Sequence, residues 1–138
     1  MLYKCEQYDI KGKRILNTNS KYYVADIGLR NAILNNSDRD FGHILENVVY
    51  LELIRRGYKV NVGKCYNAEV DFVATKNNKV EYYQVALNVL NDDTLERELA
   101  SLEKIKNNYP KFLLTTDLGE GENEGIKRIN VFDWLLEN

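Results

Sequence analysis

Residues 40–86 read DFGHILENVVYLELIRRGYKVNVGKCYNAEVDFVATKNNKVEYYQVA. In the first part of this stretch, apolar side chains recur at spacings of three and four, which predicts one helix from Asp40 to a stop at Gly57. The predicted apolar stripe consists of Phe41, Ile44, Leu45, Val48, Leu51 and Ile54. Glu46 lies at the edge of this stripe.

The second part of the stretch predicts a three-stranded meander. Its strands are expected at Tyr58 to Gly63, Ala68 to Thr75 and Lys79 to Leu87. Asn77 and Asn78 supply a tight hairpin turn between the second and third strands.

Strand periodicity places two polar residues beside the helix acid. Successive side chains of a strand point to opposite faces, so Asp71 shares a face with Val73, and Gln84 shares a face of the next strand with Ala86. We therefore expect Glu46 from the helix and Asp71 from the strand to approach one another, with Gln84 beside them.

Length and charge limit the class of protein. A chain of 138 residues that is 44% hydrophobic can close one sizeable core, which predicts one domain. The net charge of −2 argues against a generally basic nucleic-acid binder but leaves room for a local basic patch. No apolar run approaches the ~18 residues that span a bilayer, and the N-terminus lacks the apolar core of a signal peptide. These features predict a cytoplasmic chain.

The cysteines do not indicate a metal site. Cys5 and Cys65 lie in unrelated contexts, there is no CxxC pair, and His43 is the one histidine. This pattern predicts two reduced thiols rather than a zinc site or a disulfide.

The flanking segments complete a mixed sheet with helices packed on it. Before the long helix, residues 1–15 predict a hairpin, residues 21–25 a short strand, and residues 27–34 a helix capped by Asp26. After the meander, Asp93 and Glu96 form a capping-box-like start to a helix that Pro110 ends. Two strands, residues 111–116 and 126–131, flank a loop at 117–125, and residues 132–136 form a last helical turn.

These elements resemble the PD-(D/E)XK, or restriction-endonuclease-like, fold. The resemblance is carried by the helix with Glu46, the EVDFV strand at 69–73 and the YYQVA strand at 82–86. Four segments together resemble, more narrowly, the uncharacterised C-terminal domain of prokaryotic AAA-type ATPases: KYYVADIGLR at 21–30, GHILEN at 42–47, RRGY at 55–58 and NNYPK at 107–111.

This resemblance implies a domain organisation. Residues 21–138 would form the nuclease-like domain, and residues 1–20 would be a lead-in from an upstream winged-helix and ATPase region. The chain contains no GxxxxGK[ST] loop, so nucleotide binding of that kind would belong to the ATPase module.

The implied nuclease site is incomplete in this sequence. Asp71 matches the strand acid and Glu46 the helix acid, and these two would hold Mg²⁺ if the site were active. Gln84 stands where the resemblance implies a second strand acid, and Ala86 stands where it implies a lysine. Other lysines could substitute, and the candidates are Lys76, Lys104 and Lys111.

Two classes of function follow. The missing lysine favours a non-catalytic module of a larger ATPase. Such a module would need no cofactor. It would contact a protein partner, nucleic acid or another copy of itself, and it would not contact a membrane. The alternative is a Mg²⁺-dependent endonuclease with a remodelled site. For Asp71 alone, a plain ion pair or a hydrogen bond at a strand end is the simpler interpretation. Several tyrosines could stack on bases, although such residues more often belong to a core; they are Tyr22, Tyr23, Tyr50, Tyr58, Tyr82 and Tyr83.

Overall fold

A computed structural model describes residues 1–25 and 38–137, and for residues 38–40 only the backbone. Within these residues the chain forms eight strands and three helices. The strands are β1 (Leu2–Asp9), β2 (Arg14–Val24), β3 (Lys59–Cys65), β4 (Ala68–Lys76), β5 (Lys79–Val85), β6 (Lys111–Thr115), β7 (Gly121–Asn123) and β8 (Ile126–Asn130). The helices are α1 (Asp38–Arg55), α2 (Asp92–Glu103) and α3 (Val131–Leu136). The predicted helix at 27–34 lies outside the described residues.

The strands form one mixed sheet in the order β2-β1-β3-β4-β5-β6-β8-β7. The β1–β3, β5–β6 and β6–β8 pairs are parallel, and the other pairs are antiparallel. One buried cluster joins α1 and α3 to the sheet, and a second joins α2 to it. The expected mixed sheet flanked by helices is therefore confirmed.

The central meander matches the prediction closely. Strands β3, β4 and β5 begin and end within two residues of the predicted limits. The turn between β4 and β5 has positive φ at both Asn77 (51°) and Asn78 (64°). This left-handed backbone matches the right-handed twist of the flanking strands, and asparagine adopts it more readily than most residues do.

The N-terminal residues are part of the main sheet. Strand β1 pairs in parallel with β3 through Gln7 and Val62, and Cys5 is fully buried in the core beneath α1. The predicted hairpin is present, and both of its strands contribute buried side chains to the core, Cys5 from β1 and Tyr23 from β2. The boundary that we placed at residue 20 falls inside β2.

Helix α1 faces the core with a different stripe from the predicted one. The fully buried positions follow a spacing of four, at Leu45, Val49 and Leu53, and Tyr50 is buried beside them. Phe41 was placed in the stripe but is 46% exposed. The helix turns this way because Tyr50 stacks on Tyr23 of β2, with ring centroids 4.3 Å apart and an interplanar angle of 13°.

Three further boundaries differ from the prediction. The N-cap of α2 is Asn91, whose side chain accepts hydrogen bonds from the backbone N–H groups of Asp93 and Thr94. The helix ends at Glu103, well before Pro110. The loop at 117–125 contains the short strand β7. Within the described residues, no helix is long and apolar enough to cross a membrane.

Candidate functional site

A cleft at one end of the β4–β5 pair, which we name the acidic cleft, brings the three predicted site residues together. Glu46, Asp71 and Gln84 all line this cleft, which has a volume of about 490 Å³. It is bounded by α1, the start of β4, the end of β5 with its following loop, and α2. Ala86 also lines it, so the lysine position of the resemblance is occupied by a methyl group.

Asp71 and Gln84 hold β4 and β5 together where the backbone ladder ends. The last ladder pair on this side is Phe72 with Tyr83. Beyond it, the backbone N–H of Val85 donates to Asp71 Oδ2 at 2.8 Å, and the backbone N–H of Asp71 donates to Gln84 Oε1 at 3.0 Å. Each side chain thus satisfies a backbone donor of the facing strand, and we name this arrangement the Asp71–Gln84 clamp.

A β-bulge in β4 accompanies the clamp. In the β3–β4 register, Asn61 lies opposite Val73 and Gly63 lies opposite Val70, so β4 has one more residue than β3 between these pairs. Bulges of this kind re-aim side chains and often lie beside functional sites. Simple alternation along β4 therefore does not hold across Asp71.

Glu46 and Glu98 bring further acids to the cleft from the two helices. The hydroxyl of Tyr23 donates to Glu46 Oε2 at 2.9 Å, which fixes the α1 carboxylate against β2. Gln84 Nε2 donates to Glu98 Oε2 on α2 at 3.1 Å. The amide of Gln84 thus links β4 to α2 and uses its donor and its acceptor simultaneously.

The electrostatics of the cleft favour a proton on Asp71. Burial, followed by the charge of Glu46, raises the pKa of Asp71 well above its ordinary range, although the Val85 N–H and the charge of Lys21 oppose the shift. Burial also raises the pKa of the Tyr23 hydroxyl, with a further contribution from the charge of Glu46. Tyr23 therefore remains a neutral donor to the Glu46 carboxylate.

Lys21 is a cation near these acids that the sequence analysis did not select. Its Nζ lies 2.9 Å from Glu69 Oε1. Burial alone would lower the pKa of Lys21, but the charge of Glu46, the hydrogen bond to Glu69 and the charge of Asp71 outweigh burial and raise it. A signal was present in the sequence, because period-two alternation puts Lys21 on the same face of β2 as Tyr23.

The lysines that we considered as substitutes lie elsewhere. Lys76 donates to the backbone carbonyl of Arg56 at 2.6 Å, and Lys111 donates to that of Asn107 at 2.6 Å. Lys104 is exposed at the end of α2. None of the three lines the acidic cleft, whereas His43 and Arg97, which the sequence analysis did not assign to it, do.

The donor set could give a divalent ion only a few protein ligands. Glu46 and Asp71 each have one carboxylate oxygen engaged in the hydrogen bonds described above and one further oxygen. Mg²⁺ accepts sites with one or two carboxylates when water and phosphate complete its octahedron. Among the side chains that the structure describes, those of residues 1–25 and 41–137, no group of three or more His, Cys, Asp and Glu is placed to hold a metal ion.

Most of the tyrosines that were candidates for base stacking belong to the core. Tyr23, Tyr50, Tyr82 and Tyr83 are buried, and Tyr22 is 60% exposed. The core interpretation holds for these four.

The two thiols are free and separate. Cys5 and Cys65 are both buried and lie in different clusters, on opposite faces of the sheet. The prediction of two unpaired thiols is confirmed.

Comparison with known proteins identifies relatives of unestablished function. An uncharacterised protein of Haemophilus influenzae is 43% identical over 138 residues, covering 99% of this chain and 34% of its own length. An uncharacterised protein of Methanocaldococcus jannaschii is 35% identical over 137 residues, covering 96% of this chain and 30% of its own length. No family model matches the chain, and no solved structure matches it significantly. The chain spans about a third of the length of the curated relatives it matches.

Proposed function

We propose that this domain is a non-catalytic, nuclease-like module of a larger cytoplasmic AAA-type ATPase, and that it contacts nucleic acid or a protein partner. The observation that carries this proposal is the Asp71–Gln84 clamp. Residues that correspond to two catalytic positions in the resemblance donate and accept hydrogen bonds that hold the sheet together. A structural role explains these side chains without any reaction.

The charge of the cleft supports the same proposal. Phosphodiester cleavage with a divalent ion needs carboxylates to retain the ion and a cation to stabilise the transition state. Gln84 adds no negative charge, its amide is already bonded to Glu98, and Ala86 offers no cation. The short span of this chain relative to its relatives supports its placement within a larger protein.

A second candidate, a Mg²⁺-dependent endonuclease with a remodelled site, is favoured by the cations near the two acids, Lys21 on β2 and Arg97 in the cleft lining. The charges of Glu46 and Asp71 both contribute to raising the pKa of Lys21, whose Nζ is paired with Glu69. In this candidate, Glu46 and Asp71 would hold the ion, which would polarise a phosphate, and Lys21 would lie beside it.

A cleavage assay separates the two candidates. We expect the wild-type protein to leave plasmid DNA, single-stranded DNA and RNA intact with Mg²⁺ or Mn²⁺. Gln84→Glu combined with Ala86→Lys restores the full set of charges implied by the resemblance, and it is assayed below its melting temperature because Gln84→Glu removes the hydrogen bond to Glu98.

Matched variants identify the source of any cleavage. Metal-dependent cleavage by the wild type that is lost in Glu46→Ala, Asp71→Ala and Lys21→Met, but kept in Lys76→Met, would establish the endonuclease and refute the non-catalytic proposal. Cleavage that survives all of these changes comes from a contaminant. If the module binds no metal ion, Mg²⁺ should leave the melting temperature unchanged. A rise would indicate binding, because a ligand that binds only the folded state raises the melting temperature.

A further inference from the structure

A second cleft lies at the opposite end of the β4–β5 pair from the acidic cleft. Its volume is about 370 Å³, within the range typical of small-molecule sites. Val73 and Tyr82 contribute to its lining, on the sheet face that α2 covers. Helix α2 ends at Glu103, and the chain that follows brings Asn107 and Tyr109 to the wall of the cleft.

The charged side chains that line this cleft are all cations. Lys13 and Arg14 come from the β1–β2 hairpin and Lys59 from the start of β3, and no Asp or Glu is among the lining residues that the structure describes. Within the described residues, none of the three has a carboxylate oxygen within 4.0 Å, although Asp9 is the register partner of Arg14 in β1. We name this site the basic cleft.

Aromatic and amide groups are arranged between the cations. Tyr82 is buried in the floor, and its hydroxyl accepts a hydrogen bond from Asn107 Nδ2 at 2.8 Å. Tyr109 lies at the rim, 46% exposed, with its ring centroid 6.4 Å from that of Tyr82. Lys111 donates to the backbone carbonyls of Asn107 and Tyr109, which fixes this wall.

We propose that the basic cleft binds a nucleotide unit of a single-stranded nucleic acid. The exposed ring of Tyr109 offers a stacking surface for a base, and Lys13, Arg14 and Lys59 offer positive charge to the phosphate. An acidic peptide would use the same cations but would leave the Tyr109 ring without a planar partner, so the aromatic component favours a nucleotide. The cleft uses no residue of the acidic cleft.

This inference deepens the proposed function and rests on it only in treating the domain as a binding module. Binding is therefore measured in EDTA, where metal-dependent cleavage cannot occur. Cleavage in the first assay would contradict the non-catalytic proposal, and absence of binding in EDTA would contradict the basic-cleft inference, so the two failures can be told apart.

The test is fluorescence anisotropy with a short end-labelled oligothymidylate. Tyr109→Ala should weaken binding at least about fivefold, because stacking on an aromatic side chain contributes ~1 kcal/mol or more per base. Arg14→Ala combined with Lys59→Ala should weaken binding and lower the slope of log affinity against log salt by about 1.4, since each phosphate contact to a single strand contributes ~0.7.

Matched controls remove the same side-chain types from other surfaces. Lys127→Ala deletes an exposed cation outside the cleft, and Tyr66→Ala deletes a tyrosine that is 55% exposed outside the cleft. Both controls should bind like the wild type. Tyr109, Arg14 and Lys59 are exposed, so the variants should keep the wild-type melting temperature, which checks that they fold.

Competitors distinguish the sources of the ligand. Displacement of the probe by thymidine monophosphate would support the cleft as a site for one free nucleotide, and displacement by oligothymidylate alone would support a strand. Failure of the oligonucleotide to bind, or wild-type binding by Tyr109→Ala and by the double variant, would overturn the inference. Displacement by polyglutamate with no effect of Tyr109→Ala would overturn it in favour of an acidic partner.

Discussion

The hydrogen bond that Gln84 donates to Glu98 predicts that Gln84→Glu destabilises the domain strongly at neutral pH. The change keeps an acceptor for the backbone N–H of Asp71. It removes Gln84 Nε2, whose hydrogen bond Glu98 Oε2 accepts at 3.1 Å. It also places a new carboxylate beside Glu98 and Asp71. The restored acid of the nuclease pattern is therefore expected to be a liability in this fold.

The size of the effect follows from the chemistry of the introduced carboxyl group. Losing a hydrogen bond to a charged group costs ~1.5–3 kcal/mol. Repulsion between the new carboxylate and the neighbouring acids adds to this loss only up to a limit, because the new carboxyl can take up a proton instead. The limit is ~3.7 kcal/mol, the cost of raising its pKa from ~4.3 to 7 at ~1.36 kcal/mol per pH unit. We expect a loss of roughly 2–3 kcal/mol at pH 7, or roughly 6–12 °C in melting temperature for a domain of this size.

The sign of the pH dependence is fixed by the same argument. The introduced carboxyl should have a higher pKa in the folded than in the unfolded state, so the folded state binds more protons. Its destabilising effect should then be smaller at pH 5, where the protonated group can donate to Glu98, and larger at pH 8.

A double-mutant cycle measured by thermal and urea unfolding tests the reasoning. Combining Gln84→Glu with Glu98→Gln should recover most of the lost stability, because the amide introduced at position 98 can donate to the carboxylate introduced at position 84. Glu96→Gln, an exposed change of equal charge on α2, should give no rescue. A Gln84→Glu protein as stable as the wild type, or changes at 84 and 98 that simply add, would refute the Gln84–Glu98 hydrogen bond on which this prediction rests.

Three further predictions test other parts of the fold. Asn47 is 3% exposed and bonds both the N–H and the carbonyl of Val24, so Asn47→Ala should cost ~2–4 kcal/mol in urea unfolding. The two hydrogen bonds from Arg55, with the one from Arg56, lower the pKa of Glu52 from 4.5 to about 2. The stability that these ion pairs contribute is present above pH ~4.5 and is lost as the pH falls toward 2. Glu52→Gln should therefore lower the melting temperature at pH 7 but not near pH 2, and an equal loss at both would contradict the ion pairs as its cause. Asn78→Gly should raise stability by ~0.5 kcal/mol, because φ at Asn78 is 64°, and an unchanged unfolding midpoint would contradict this.

Local signals were sufficient for the central strands. The β4–β5 hairpin follows from two adjacent asparagines and the alternation on either side of them, and both are contained in a few consecutive residues. The convergence of Glu46, Asp71 and Gln84 in one cleft is predicted by strand periodicity and by the resemblance, although the bulge in β4 breaks simple alternation at Asp71.

Features that depend on tertiary contacts could not be predicted in the same way. Helix α1 is apolar around much of its circumference between Val48 and Ile54, so the sequence permits several orientations and the stacking of Tyr50 on Tyr23 selects one. Residues 91–93 offer three side chains capable of capping α2, and the geometry selects Asn91. Lys21 has the charges of Glu46 and Asp71 near it only because β2 is brought beside α1, where Tyr23 bonds Glu46 and Val24 bonds Asn47.

The charge of the whole chain conceals how charge is distributed along β4 and β5. Tyr82 lines the basic cleft and Ala86 lines the acidic cleft, four residues further along β5. At ~3.3 Å per residue this is ~13 Å, more than the Debye length of ~8 Å at physiological salt. The acids of one cleft would therefore weaken the proposed phosphate binding at the other only slightly, and a net charge of −2 does not argue against the proposal.

The same separation bears on whether a bound strand would be cut. A phosphate held by Lys13, Arg14 or Lys59 lies at the opposite end of the strands from Glu46 and Asp71. To enter the acidic cleft, a strand would have to bring its own negative charge towards these acids, where the nearby Lys21 is already paired with Glu69. Binding at the basic cleft thus favours holding a strand over cleaving it, which agrees with a contact module and gives the binding and cleavage assays opposite expected results.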